Sequence, residues 1–278
     1  MSELTDLRIN DEKKERVRKN LDLDEERIKA AVQGIKDWME LQPHLPKEDD
    51  GRLERWLIRC KNNMEKTKHT LDMYYSLKTQ IPELMSNWNV DDTWAQELMN
   101  QGFIIPLPKL TDELDRITIF GLYSGVEDFE IYSVCKTLLM SLEIRMCEDY
   151  NMKDIIIIDF KNITAKSVLR ITLPAMKKFV DCALKGYNMR IRAIHLINSS
   201  PITEVLITIS KALLKNKLID RLHVHGSDLT ALHKHVPKSL LPKEYGGENG
   251  TVTQHDSAWK NKLTVIVIGS LSTRKRIR

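Results

Sequence analysis

The run Ile155-Ile-Ile-Ile-Asp-Phe160 constrains this chain more than any other stretch. It is apolar at successive positions with no period-two alternation, the mark of a β-strand covered on both faces, and it is too short for a buried helix. Such a strand requires neighbours that alternate with helices. The sequence supplies them: a helical pattern over 129–148, a helix that opens at Thr172-Leu-Pro174 and stops at Gly186, a strand over 191–197, an apolar helix over 201–215, a strand over 221–225 and a short helix near Leu229–His235. Pro174 suits a first helical turn. Strands alternating with helices predict an α/β fold with a largely parallel sheet. Gly102–Leu107 and Arg116–Leu122 flank a turn around Thr111–Asp115 and read as a hairpin.

The first part of the chain has a different period. Ile28, Ala31, Val32, Ile35, Trp38 and Met39 recur three and four apart and stop before Pro43; Leu53, Trp56, Leu57 and Cys60 form a second helix; Met64, Thr67, Leu71, Tyr74, Tyr75 and Leu77 form a third, ended by Ile81-Pro82. These predict an N-terminal three-helix bundle. The polar stretch Ser86–Asp92 marks a boundary, which divides the chain into a charged arm (1–24), a helical domain (25–85), an α/β lobe (93–258) and a tail (259–278). In the tail Leu263–Ile268 is β-prone and Thr273–Arg278 is basic, so an isoform-specific or non-native end, an extra edge strand and a membrane-surface contact are all open readings.

Composition excludes several function classes. With 43 Lys+Arg against 39 Asp+Glu the net charge is only +4, so general nucleic-acid binding is not expected and basic function must be local. Cys60, Cys135, Cys147 and Cys182 show no C-x-x-C pair and the N-terminus has no apolar signal core, which points to a reducing, cytoplasmic setting. No run approaches the roughly 18 apolar residues of a membrane span, so any membrane contact is peripheral.

Three sets of residues could act. Arg190 and Arg192 alternate near a strand start, while Lys211, Lys215, Lys217 and Arg221 gather toward the end of the next helix; they read as solvated charge and helix-dipole partners, or as an anion site. Ile202, Val205, Leu206, Ile209 and Leu213 form one stripe, which either packs on its own domain or acts as a lid. His223, His225, His233 and His235 offer two H-x-H pairs for zinc, but without an acidic ligand beside them no metal site is expected. Asp159 with His195 lacks a G-x-S-x-G elbow, and Lys161-Asn-Ile-Thr164 is no phosphate loop, so neither catalysis nor nucleotide binding is expected.

Arg192-Ala-Ile-His-Leu-Ile-Asn198, Leu222-His-Val-His-Gly226 and Leu241-Pro-Lys-Glu-Tyr-Gly-Gly247, in this order behind Ile155–Phe160 and a helical N-terminal region, resemble the CRAL-TRIO lipid-binding family over roughly 25–258. The stretch Arg52–Arg59 is similar to the leucine- and arginine-rich helix of the family's N-terminal bundle. The resemblance implies a non-enzymatic carrier that encloses one small hydrophobic ligand, such as a tocopherol, retinoid or carotenoid, under a mobile lid helix formed by the stripe, with no cofactor beyond that ligand. It implies a cavity lined by Ser133, Thr137, Met140, Ser141, Ile144, Ile156, Ile158, Phe179, Cys182, Ala183, Met189 and Ile194, any of which core packing would also explain. It further implies a phosphoinositide site from Arg190, Arg192, Lys217 and Arg221, with Arg59 as a further candidate, and release of the ligand at the membrane. The competing reading is a phosphoinositide-binding adaptor in membrane traffic without ligand transfer.

Overall fold

The computed structural model describes residues 3–89 and 92–275. It begins with α1 (Asp11–Lys19), α2 (Glu25–Glu40), α3 (Asp50–Arg59), α4 (Met64–Gln80) and the single turn α5 (Pro82–Met85). Asp24, Asn63 and Asp49 cap their helices by accepting from backbone amides of the first turn. The face of α2 that carries Ile28, Ala31, Val32, Ile35 and Met39 is buried, as its spacing predicts. α3 is buried on every side, arginines included. Two of its arginines find partners there: Arg52 reaches Glu143 at 2.9 Å and Glu48 at 3.1 Å, and Arg55 donates to the Met146 carbonyl at 2.7 Å.

A helix that the sequence reading did not anticipate, α6 (Thr93–Gln101), precedes the sheet. The sheet then follows in chain order: β1 (Gly102–Pro106), β2 (Arg116–Leu122), α7 (Ile131–Glu148), β3 (Asp154–Asp159), α8 (Ala165–Leu169), α9 (Leu173–Asp181) running into a π-helical turn (Cys182–Gly186), β4 (Ile191–Ile197), α10 (Thr203–Leu213), α11 (Asn216–Ile219) and β5 (Leu222–Val224). β1 and β2 are the antiparallel hairpin, and β2 to β5 are parallel in the order β1-β2-β3-β4-β5. The helix predicted over 201–215 is broken at Leu214, whose backbone is extended, so it ends as α10 and resumes as α11.

The topology decides where the functional space lies. Parallel strands added one after another in the same direction by right-handed crossovers place every crossover helix on one face of the sheet. Strand alternation then divides the side chains. Ile155 and Ile157, with Ile117, Ile119 and Ile197, face the layer formed by α12 (Thr230–His233) and the turns Lys238–Leu240 and Lys243–Tyr245. Ile156, Ile158, Ile194 and Leu196 face the crossover helices. The continuous apolar run is thus required by burial on both faces.

The closing Tyr245-Gly-Gly turn needs its glycines. Gly246 has φ +72°, and a Cβ at Gly247 would sit 1.9 Å from the Leu241 carbonyl oxygen. The tail beyond it corrects the β-prone reading of 263–268: α13 (Val252–Lys275) is one helix. Its start is fixed by His255, bonded to the Asn249 carbonyl at 2.6 Å, by buried Trp259 and by Lys262, which donates to the Thr5 carbonyl at 2.6 Å. Trp259 and Leu263 line a small cleft with Phe103 and Ile104 of β1, so the helix occupies the edge that an added strand would need. Of the basic end, residues 276–278 lie outside the described residues. Among the described residues no helix is long and apolar enough to cross a membrane.

Candidate functional site

Between the sheet and the crossover helices lies a cavity of about 270 Å³. Its floor is Thr118, Phe120 and Leu122 of β2, Ile156 and Ile158 of β3, and Ile194 and Leu196 of β4; its walls come from α7 and α9, and Leu206, Ile209 and Ser210 of α10 with Leu214 and Leu218 cover it. The lining is almost wholly apolar, the environment that suits a hydrophobic ligand.

Of the positions named from the sequence, Ser141, Ile156, Ile158, Phe179, Ala183, Met189 and Ile194 line the cavity. Ser133, Thr137, Met140, Ile144 and Cys182 do not. The cause lies in α7, which buries apolar residues on more than one face. Ile131, Val134, Cys135, Leu138, Ser141, Leu142 and Arg145 turn toward the cavity, whereas Met140 and Ile144 pack on the other side with Leu7, Trp259 and Leu263. Thr137 donates its hydroxyl to the Ser133 carbonyl at 3.1 Å, and Ser133 donates to Glu130 at 2.9 Å, so both serve the helix start. Cys182 is buried in the core between the helices.

α10 is lightly anchored. Thr203 is its one buried residue, and Val205 is 46% exposed on the outside. Leu206 and Ile209 face inward, while Ile202 and Leu213 are half-buried beside the cavity lining. A helix held by so little burial sits at the low end of local stability.

The basic residues meet at one end of the sheet, for a topological reason. Parallel strands begin on the same side, and Lys153, Arg190 and Arg221 each stand immediately before β3, β4 and β5. A β-bulge between β3 and β4 sets Asp154 opposite Ile191 and Ile155 opposite Ala193, which leaves Arg192 as the extra residue, exposed and paired with Asp115. Burial lowers the Lys153 pKa, and Arg192, Arg190 and Arg221 lower it further against the pull of Asp115. This ammonium was missed in the sequence, although a basic residue one position before each strand is its signal. Arg190 donates to the Ile58 carbonyl at 3.4 Å, and Arg221 donates to the Ile191 carbonyl. Lys217 is exposed on α11. Arg59 lies behind this rim: it is buried and donates to the Tyr187 carbonyl at 3.4 Å.

Behind the rim is a buried ionic chain. Asp149 accepts from Arg116 at 2.7 and 3.0 Å and from Arg145 at 3.0 Å, and Arg145 also binds Asp154. Burial works to raise the Asp149 pKa, but the two guanidinium groups prevail and hold it down to about 2.

The histidines gather differently from the sequence expectation. His223 and His225 stack with His195 of β4 at ring-centroid distances of 5.0 and 5.2 Å, and His235 lies tilted to it at 5.3 Å. His233 instead bonds the Tyr245 carbonyl at 2.9 Å. Among the described residues no group of three or more His, Cys, Asp and Glu side chains is arranged to hold a metal ion. Asp159 accepts from Asn198 at 2.7 Å and from Tyr245 at 3.0 Å, which ties the strand ends to the glycine turn and not to His195.

An α/β lobe with an apolar cavity under crossover helices and a helical N-terminal part defines a lipid-binding class of protein. The chain belongs to the CRAL/TRIO domain family, whose pattern matches residues 103–247, and a Pinta-like UBA domain matches residues 24–95. Alpha-tocopherol transfer protein-like from Mus musculus is 27% identical over 224 residues, covering 79% of this chain and 65% of that protein. The chain thus spans about two thirds of the length of that relative. Clavesin-2 from Rattus norvegicus is 23% identical over 246 residues, covering 86% of this chain and 75% of that protein. The crystal structure of Sfh5 shares the fold, with a TM-score of 0.51 at 13% identity, over 90% of this chain and 92% of that one.

Proposed function

We propose that this protein carries one small hydrophobic ligand, of the tocopherol, retinoid or carotenoid kind, and releases it at phosphoinositide-containing membranes. The observation that supports this most is the apolar cavity of about 270 Å³ closed by α10. Burial removes the ligand's apolar surface from water at about 25 cal/mol per Å², which makes spontaneous loss slow and needs no bond chemistry. The name of the mouse relative supports the tocopherol side of this range. In this reading the 25–85 helices brace the 93–258 lobe, the protein works in the cytoplasm and meets membranes at their surface, and 259–278 is a tail.

Release requires a ligand that favours the open form, because an equilibrium shifts only through differential affinity. Arg190, Arg192, Lys217 and Arg221, joined by Lys153, would supply it by binding phosphate oxygens, Arg in bidentate fashion. Arg59 would act from behind as a buried support for this rim. The exposed rim also favours a second reading, a phosphoinositide-binding adaptor whose cavity is structural.

Native mass spectrometry of the purified chain, followed by organic extraction, separates the two. A stoichiometric hydrophobic molecule supports the carrier. A bare protein that takes up no tocopherol, retinoid, carotenoid or phospholipid from vesicles leaves the adaptor.

A further inference from the structure

One hydroxyl of the cavity wall is buried without a hydrogen-bond partner among the described residues. Thr118 lies on β2, opposite Pro106 of β1 and Ile156 of β3, and lines the cavity. Its Oγ1 is shielded from water and has no partner among the described residues. Pro106 has no amide hydrogen to offer and Ile156 no polar side chain. A valine would fill the same space in the strand without leaving a buried polar atom unsatisfied, so the hydroxyl is unfavourable in the empty protein.

The other polar groups of the wall are engaged or neutral. Ser210 donates to the Leu206 carbonyl at 2.8 Å within α10. Arg145 is the wall's cation, and its charge is already matched by Asp149 at 3.0 Å and by Asp154. Burial pushes the Cys135 thiol up to about 12, so it carries no charge at neutral pH. Ser141 holds the remaining hydroxyl. A carboxylate or phosphodiester drawn inside would be a buried anion with no free counter-charge, which is strongly unfavourable. An alcohol or phenol meets no such penalty.

We infer that Thr118 is the polar anchor of the cavity, and that the cavity takes lipids with a single uncharged hydrogen-bonding head group while excluding ionised acids and phospholipid head groups. The inference rests on the carrier reading and narrows it. As placed, the Thr118 oxygen is shielded from the cavity space; a rotation about the Cα–Cβ bond brings it in beside a ligand, where a hydroxyl can donate or accept.

The test is fluorescence titration of the full chain at pH 7.5 with all-trans-retinol, the matching deoxy hydrocarbon and retinoic acid. Retinol should bind one to one, and retinoic acid at least about 100-fold more weakly. Thr118→Val should weaken retinol about 10-fold and leave the hydrocarbon unchanged, while Thr118→Ser, which keeps the hydroxyl, restores retinol binding. Equal affinity for acid and alcohol overturns the inference and leaves the carrier reading standing. So does a Thr118→Val loss that is the same for alcohol and hydrocarbon, or absent for both. Uptake of none of the three overturns the carrier reading itself, and the inference with it.

Discussion

His195 Nδ1 stands 2.9 Å from His225 Nε2, inside a stack that His223 and His235 complete on the sheet face opposite the cavity. Only one ring nitrogen of such a pair can carry the shared hydrogen, so the two rings cannot both be protonated while the bond is kept. Burial, and then the neighbouring rings, push the His195 pKa down to about 3.

Acidification should therefore destabilise this protein. Between pH 3 and about 6.5 the unfolded chain takes up a proton that native His195 refuses, so stability rises with pH across that window and is lost as pH falls through it. At pH 5 the loss is about 2 kcal/mol, and above about 6.5 this group contributes nothing. Thermal unfolding from pH 7.5 to 4.5 checks this. His195→Gln should flatten the profile relative to the native chain, and an unchanged slope would assign the acid sensitivity to other groups.

Asp149→Ala should be strongly destabilising. It leaves the Arg116 and Arg145 guanidinium groups, both at most 1% exposed, with Asp154 for Arg145 and only backbone carbonyls for Arg116. Removing one partner of a buried ionic network costs roughly 3–5 kcal/mol. Urea unfolding would show it as a lowered midpoint with an unchanged slope.

Much of this architecture is legible in the sequence. Unbroken hydrophobicity at Ile155–Phe160 gave way to a central strand because burial on both faces leaves no room for alternation. The helical N-terminus was legible from the spacing on α2 and from the prolines that stop its helices. α7 was legible as a helix but not by face: apolar residues on more than one side offer no single stripe, and Met140 and Ile144 are as hydrophobic as Leu138 and Leu142. Periodicity reads one burial surface, whereas α7 has two. Thr118 was hidden for a similar reason, since a threonine in a strand is ordinary until its partners are known. Lys153 was hidden because its neighbours, Arg190, Arg192 and Arg221, come from distant segments that only the parallel register aligns. The tail failed differently: β-propensity at 263–268 was overridden by a helix already started over β1.

Lys153→Ala should weaken binding to vesicles that contain phosphatidylinositol bisphosphate by roughly fivefold, the effect of about 1 kcal/mol for one basic residue near an anionic surface. Arg190→Ala with Lys217→Ala should weaken it further, and the difference from the native chain should shrink in high salt. Vesicle flotation across salt concentrations reads both. An unchanged partition for Lys153→Ala would place the contact surface elsewhere than the strand-start rim.

The two faces of α10 make separable predictions. Leu206 points into the cavity and Val205 lies 46% exposed outside it. Leu206→Asp would place a charge against the apolar lining, so retinol loading should fall by at least about 10-fold. Val205→Asp leaves the lining intact and should load normally, but a carboxylate on the outward face opposes insertion into an anionic, apolar interface. Its transfer of retinol to acceptor vesicles should slow by about 10-fold at unchanged affinity. Equilibrium titration and stopped-flow transfer, measured on both variants, distinguish a helix that only packs over the cavity from one that also meets the membrane: in the first case Val205→Asp transfers at the native rate, and in the second loading and transfer separate along adjacent residues.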